Sequence, residues 1–89
     1  MTHDLSKWYE DLEKQAATTF AQAKRAADCF DDSIWELASG RYIAMRRGVC
    51  VPPYAVRVAT RVSGKNWRRE SAEKIQKQLE QQAGYEAGY

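Results

Sequence analysis

The strongest constraint on the fold is the spacing of apolar residues in the first third of the chain. Between positions 5 and 30 they recur at intervals of three or four, at Leu5, Trp8, Tyr9, Leu12, Ala16, Phe20, Ala23, Ala27 and Phe30. This period is typical of an amphipathic helix with one buried stripe. The sequence therefore predicts a long N-terminal helix.

A second helix is predicted to begin at Ser33, which forms a capping box with Glu36, and to end at Gly48. Its buried side would carry Ile34, Leu37, Ala38, Tyr42 and Met45. Gly40 lies in the middle of this segment, and glycine is unfavourable in a helix interior. A bend or a break at Gly40 therefore stays open.

The segment that follows fits two patterns. Pro52 and Pro53 require an extended link. In residues 54–62, Val56, Val58 and Val62 alternate as in a strand, whereas Ala55, Val58, Ala59 and Val62 form one face of a helix. Pro53 at a first helical position, and the lack of a second strand for pairing, favour a short helix.

The last predicted helix covers residues 67–83, after a turn at residues 63–66, and ends at Gly84. Residues 85–89 are predicted to form a flexible tail. A chain of 89 residues has room for one domain. We therefore expect an all-α fold, a small bundle of three to four helices with a long N-terminal helix, in a single helical domain of residues 1–84.

Histidine and cysteine are scarce, which argues against catalysis and metal binding. His3 is the only histidine, and Cys29 and Cys50 are not spaced as metal ligands. No glycine-rich phosphate loop is present. We expect a non-enzymatic protein that uses neither cofactor nor metal, with both cysteines reduced and buried. Whether the two cysteines approach each other stays open.

The hydropathy pattern argues against membrane insertion and export. No apolar run approaches the ~18 residues that a membrane span needs. The first thirty residues carry acids throughout rather than the basic and apolar regions of a signal peptide. We expect a cytoplasmic protein.

Charge is segregated along the chain. Residues 37–69 contain eight cations and no Asp or Glu, whereas residues 1–36 have a net charge of −4 and residues 70–89 of −2. Seven of the eight are arginines, whose planar guanidinium matches phosphate and guanine edges. The predicted site for nucleic acid or another anionic partner consists of these cations and the tryptophan among them: Arg41, Arg46, Arg47, Arg57, Arg61, Lys65, Trp67, Arg68 and Arg69.

Duplex DNA is the leading predicted partner, through a motif like a helix-turn-helix. A helix from Tyr54, a turn with Gly64 and a helix that begins with Trp67 would place cations where a recognition helix contacts DNA. A second register competes with the first, because Ile43-Ala44 followed by Gly48-Val49 has the same spacing of a small residue and a glycine. Neither register fits well enough to name a family, and DNA is not distinguished from RNA. Trp67 either belongs to the core or stacks on a base or a partner.

Two alternatives stay open beside DNA binding. The arginines could pair with carboxylates of the first helix, which would cancel their outward field. The protein could instead be an adaptor or inhibitor that docks its arginine-rich face on an acidic protein, or in the nucleic-acid-binding surface of a larger complex. A homodimer through the N-terminal helix is compatible with either function.

Overall fold

The computed structural model describes residues 5–52 and 54–86, and their fold is α+β, so the predicted all-α bundle is wrong. In chain order the elements are α1 (Ser6–Gln15), α2 (Phe20–Ala26), β1 (Asp31–Glu36), β2 (Tyr42–Arg46), β3 (Val56–Ser63), β4 (Asn66–Arg69) and α3 (Ala72–Glu86). The four strands form one antiparallel sheet in the order β2-β1-β3-β4. His3, Pro53 and residues 87–89 of the predicted tail lie outside the described residues.

The predicted long N-terminal helix is in fact two helices, α1 and α2, separated by residues 16–19. Thr19 caps α2 in a capping box: the Gln22 N–H donates to Thr19 Oγ1 at 3.2 Å, and the Thr19 N–H donates to Gln22 Oε1 at 3.3 Å. The backbone of Ala17 exchanges hydrogen bonds with Tyr42 at 2.7 and 2.8 Å. The chain leaves the helix here because its backbone pairs with the edge of the sheet instead.

A hairpin of β1 and β2 replaces the predicted second helix. Gly40 lies in its turn with φ of +86°, a conformation that favours glycine, and its N–H donates to the Leu37 carbonyl at 2.9 Å. Ile34 in β1 pairs with Ala44 of β2 on one side and with Ala59 of β3 on the other. Of the residues predicted to be buried, Ile34, Leu37 and Met45 are buried by the hairpin rather than along a helix face, Tyr42 is half-buried and Ala38 is exposed.

Residues 54–62 follow the strand pattern, so the predicted short helix is wrong as well. β3 and β4 form a hairpin around the turn that contains Gly64. Trp67, Arg68 and Arg69, predicted as the start of a recognition helix, lie in β4, and α3 begins only at Ala72. The predicted helix-turn-helix is therefore wrong. The β1–β2 hairpin supplies the pairing partner that β3 needs.

The core lies where α2 and α3 meet the sheet. Its buried members are Ala23, Ile34, Val56, Val58 and Ala59, and the partly buried Phe20, Trp67 and Ile75 pack against them. Ala23 and Phe20 come from α2, and Ile75 comes from α3. Burial of this apolar face holds the short helix α2 against the sheet.

The two cysteines lie at the surface. Cys29 and Cys50 are free thiols, as predicted, but both are exposed, so their predicted burial is wrong. Within the described ranges, no three His, Cys, Asp or Glu side chains are grouped to hold a metal ion. No helix formed by these residues combines the length and apolar character needed to cross a membrane.

Glutamine side chains fasten α3 to β3. The Arg57 N–H donates to Gln78 Oε1 at 2.9 Å, and Gln78 Nε2 donates to the Arg57 carbonyl at 3.0 Å. Gln82 Nε2 donates to the Ala55 carbonyl at 3.1 Å. β4 pairs with β3 only from Ala59 onward, so these amides bind the start of β3 and the residue before it, which β4 does not reach. The Gln78 side chain thus takes the place of a neighbouring strand.

Replacing Gln78 by alanine is expected to lower the free energy of unfolding by about 1–2 kcal/mol, because two hydrogen bonds that hold α3 are lost. Urea denaturation measures the change. Gln76→Ala is the matched control: it lies in the same helix and is exposed, so its effect should stay below about 0.5 kcal/mol. Equal effects of the two substitutions would contradict the strand-like role of Gln78.

Candidate nucleic-acid interface

Two of the predicted site arginines pair with acids from the N-terminal part of the chain. Arg46 Nη2 lies 3.6 Å from Asp28 Oδ2, and Arg47 Nε lies 3.5 Å from Asp32 Oδ2. All four side chains are well exposed, so each pair contributes about 0–1 kcal/mol. For these two residues the structure has the internal pairing that the sequence left open as an alternative.

Arg41 and Arg57 are also engaged within the chain. Arg41 Nη1 donates to the Glu13 carbonyl at 3.3 Å. Arg57 Nε lies 3.6 Å from Glu70 Oε1, and the Glu70 side chain is only 5% exposed. Lys74 Nζ approaches the same carboxylate at 3.9 Å. The charge of Arg57 is therefore compensated by a buried acid.

Arg61 is held by backbone carbonyls rather than by an acid. Its Nε donates to Asp31 O at 2.7 Å, its Nη2 donates to Asp28 O at 2.7 Å, and its Nη1 donates to Gly64 O. The guanidinium also stacks 4.4 Å from the centroid of the Trp67 ring. These contacts tie the turn before β1 to the β3–β4 turn. Carbonyls satisfy the donors of Arg61 without cancelling its charge.

Lys65, Arg68 and Arg69 form the least compensated group. Lys65 lies in the β3–β4 turn, and Arg68 and Arg69 lie in β4. None of the three has an ion pair with any described residue. Adjacent strand residues point to opposite faces, and Arg69 stacks 4.2 Å from the centroid of the Phe20 ring of α2. Arg68 therefore faces away from α2.

A concave cleft of ≈ 580 Å³ lies between α2 and the β3–β4 hairpin, and we refer to it as the basic cleft. It is lined by Ala21, Lys24, Arg25, Ala27, Arg61, Lys65 and Trp67. Four of these seven side chains are cationic, and no Asp or Glu is among the described residues that line it. The structure thus brings three predicted site residues together with two cations from α2.

Lys24 and Arg25 are not among the predicted site residues. They belong to the last turn of α2, where the buried Ala23 points toward the sheet and the two following residues point away from it. Lys24 Nζ lies 5.4 Å from the centroid of the Phe20 ring. Their segment has a net negative charge, which hides them in a count along the sequence. The signal that could have found them is the pair of adjacent cations on the exposed side of a helix.

A second cleft, of ≈ 380 Å³, lies between the β2–β3 loop and the sheet face that carries Ser33 and Trp35. Its lining includes Asp32, Arg61, which also lines the basic cleft, and the three arginines that pair with carboxylates, Arg46, Arg47 and Arg57. Because those charges are compensated, this cleft attracts an anion less strongly than the basic cleft does.

Comparison of the chain with models of protein families, with curated proteins and with solved structures gives no match. Function must therefore be inferred from the side chains of the clefts themselves.

Proposed function

We propose that this protein is a non-enzymatic nucleic-acid-binding protein whose contact surface is the basic cleft with the adjacent β3–β4 hairpin. The observation that carries the proposal is the combination of four cations and an aromatic ring in one concave site whose described lining has no carboxylate. Phosphates of a nucleic acid supply the complementary charge. A recognition helix is not part of this proposal, because the residues predicted to form it lie in the β3–β4 hairpin.

The cations of the site come from three separate parts of the chain, yet the fold fixes their positions. The packing of α2 places the backbone of Lys24 and Arg25, whose exposed side chains line the cleft. The Arg61 side chain is held by three carbonyls and a ring, so it loses little conformational entropy when it binds a phosphate. Arg69, on the same face of β4 as Trp67, extends the positive area along this strand, whereas Arg68 lies on the opposite face.

A salt titration tests the proposal. The protein is mixed with a labelled oligonucleotide, and the dissociation constant is measured by fluorescence anisotropy between about 50 and 200 mM salt. We expect binding at the low end, with affinity falling at a logarithmic slope of about −0.7 to −0.9 for each phosphate contact. Absence of binding at the lowest salt would refute the proposal.

Neutralising the three cleft cations whose side chains make no hydrogen bond with the described residues shows whether they contact the phosphates. The triple variant Lys24→Gln, Arg25→Gln, Lys65→Gln is expected to weaken binding and to reduce the salt slope by about 2 to 3, because about one contact is lost with each cation. The measurement is the same anisotropy titration.

A matched control removes the same charge elsewhere. The triple variant Lys7→Gln, Lys14→Gln, Lys77→Gln changes exposed residues of α1 and α3 that do not line the basic cleft. Both triple variants carry the same net charge, so a general electrostatic effect would weaken them equally. An equal loss of binding would place the contact surface elsewhere.

An acidic protein partner is the second candidate, and exposed apolar side chains favour it. Phe30 is 69% exposed in the turn before β1, and Val62 is 61% exposed next to Arg61 in β3. An interface centre of apolar side chains and arginines is typical of protein complexes. Substituting Phe30 and Val62 by serine should leave oligonucleotide affinity unchanged and should weaken binding to a protein partner.

A further inference from the structure

The basic cleft offers more than charge, because part of its lining is apolar. Ala21, Ala27 and the ring of Trp67 line it together with the cations. Phosphate groups alone would contact the cations and would leave the apolar part of the lining in contact with water. The cleft therefore fits an occupant with a flat apolar part and a phosphate attached to it.

We propose that the occupant is an unpaired nucleotide of a single-stranded nucleic acid, with its base against the Arg61–Trp67 stack and its phosphates on Lys24, Arg25 and Lys65. This inference rests on the proposed function and deepens it by naming the strand type. A base within a duplex is stacked between its neighbours and presents only its edge, so it cannot enter such a cleft.

The stack of Arg61 on Trp67 is a suitable platform for a base. Bases stack both on aromatic rings and on the plane of an arginine guanidinium. The guanidinium lies 4.4 Å from the ring centroid, and bonds to Asp28 O, Asp31 O and Gly64 O fix it in place. The platform is therefore preformed, and its positive charge also attracts the strand.

The size of the cleft agrees with this occupant. Its volume of ≈ 580 Å³ lies in the range of about 300–1,000 Å³ of pockets that hold small organic ligands. Cations lie on both sides of the cleft, since Lys24 and Arg25 belong to α2 and Lys65 belongs to the β3–β4 turn. A strand could therefore run along the cleft with phosphates on either side of one inserted base.

Oligonucleotides with and without bases test the inference on the unmodified protein. The probes are an oligothymidylate of about 12 nucleotides, the same strand with abasic sites in its centre, an oligouridylate of equal length, and a hairpin duplex with equal phosphate number. We expect the oligothymidylate or the oligouridylate to bind about 5- to 150-fold more tightly than the abasic strand. Whichever of the two binds better identifies DNA or RNA as the source of the strand.

Substitution of Trp67 gives a second readout that does not depend on charge. Trp67→Leu removes the ring, whereas Trp67→Phe keeps an aromatic surface. We expect Trp67→Leu to lose the preference for strands with bases over the abasic strand, and Trp67→Phe to retain most of it. If Trp67→Leu does not fold, the comparison of probes on the unmodified protein still decides.

The outcomes separate this inference from the proposed function. If no probe binds at low salt, nucleic-acid binding itself is refuted. If the hairpin duplex and the abasic strand bind as tightly as the oligothymidylate and the oligouridylate, nucleic-acid binding stands and the unpaired base is refuted. A preference for strands with bases that Trp67→Leu abolishes supports the inference.

Discussion

Replacing Arg61 by alanine is expected to lower the free energy of unfolding by about 2–4 kcal/mol, an unusually large effect for a partly exposed residue. The side chain makes hydrogen bonds to Asp28 O, Asp31 O and Gly64 O, and it stacks on Trp67. Alanine makes none of these contacts, so the turn before β1 and the β3–β4 turn lose their common anchor. Thermal unfolding followed by circular dichroism should show a drop of about 4–8 °C for each kcal/mol lost.

Two further variants separate geometry from charge at this position. Arg61→Lys keeps the charge but lacks the planar fork that reaches three carbonyls, so it should lose most of the stability that alanine loses. Arg68→Ala is the control, because the Arg68 side chain is exposed and has no hydrogen bond or ion pair with the described residues. Its effect should stay within about 0.5 kcal/mol. Melting temperatures that are equal for Arg61→Ala and Arg68→Ala would show that the carbonyl contacts contribute little.

Bulges and burial on both faces explain why the sequence of the β1–β2 hairpin predicts a helix. β1 shifts register against β2 between Asp31 and Ser33, and against β3 between Ile34 and Trp35. Ser33 and Ile34 pair in regular register with both neighbouring strands and so face opposite sides of the sheet, yet both are buried. A central strand with both faces covered also has weak alternation. The period of two is therefore lost from the sequence, and the three- and four-residue spacing of the same apolar residues predicts a helix instead.

The wrong prediction of a helix from Ser33 to Gly48 also leads to the wrong prediction for residues 54–62. Val56 and Val58 fit a strand, but a strand needs a partner, and none is available once the preceding segment is taken as helical. The residue types of the next segment predict its turn correctly. The predicted turn at residues 63–66 includes Gly64, whose φ of +50° favours glycine, and this turn joins β3 to β4.

The candidate site could be predicted only in part from the sequence. Arg61, Lys65 and Trp67 are close in the chain, and the structure places all three on one cleft. Lys24 and Arg25 join them through tertiary packing alone, because Ala23 of the same helix is buried against the sheet. The sequence alone does not show that Lys24 and Arg25 lie beside Arg61, Lys65 and Trp67. Nor does it show which acid pairs with which of the other arginines.

Replacing Ile34 by alanine is expected to lower the free energy of unfolding by about 2–5 kcal/mol. Ile34 is fully buried at the centre of the sheet, between Ala44 and Ala59, and is the largest of the fully buried side chains described. Its neighbours in the core include alanines, which cannot move in to fill the space that the substitution leaves. The cost is thus lost burial together with a cavity.

This loss is a large part of the total stability, because a chain of this length has only about 4–13 kcal/mol. Urea denaturation should therefore show a much lower midpoint for Ile34→Ala with an unchanged slope. Val62→Ala is the control, since it removes apolar atoms from a strand side chain that is 61% exposed, and its cost should stay below about 1 kcal/mol. If both variants unfold at the same urea concentration, the sheet cannot be centred on Ile34. The position of α2, and with it the basic cleft, would then need another explanation, because α2 packs on this core through Ala23.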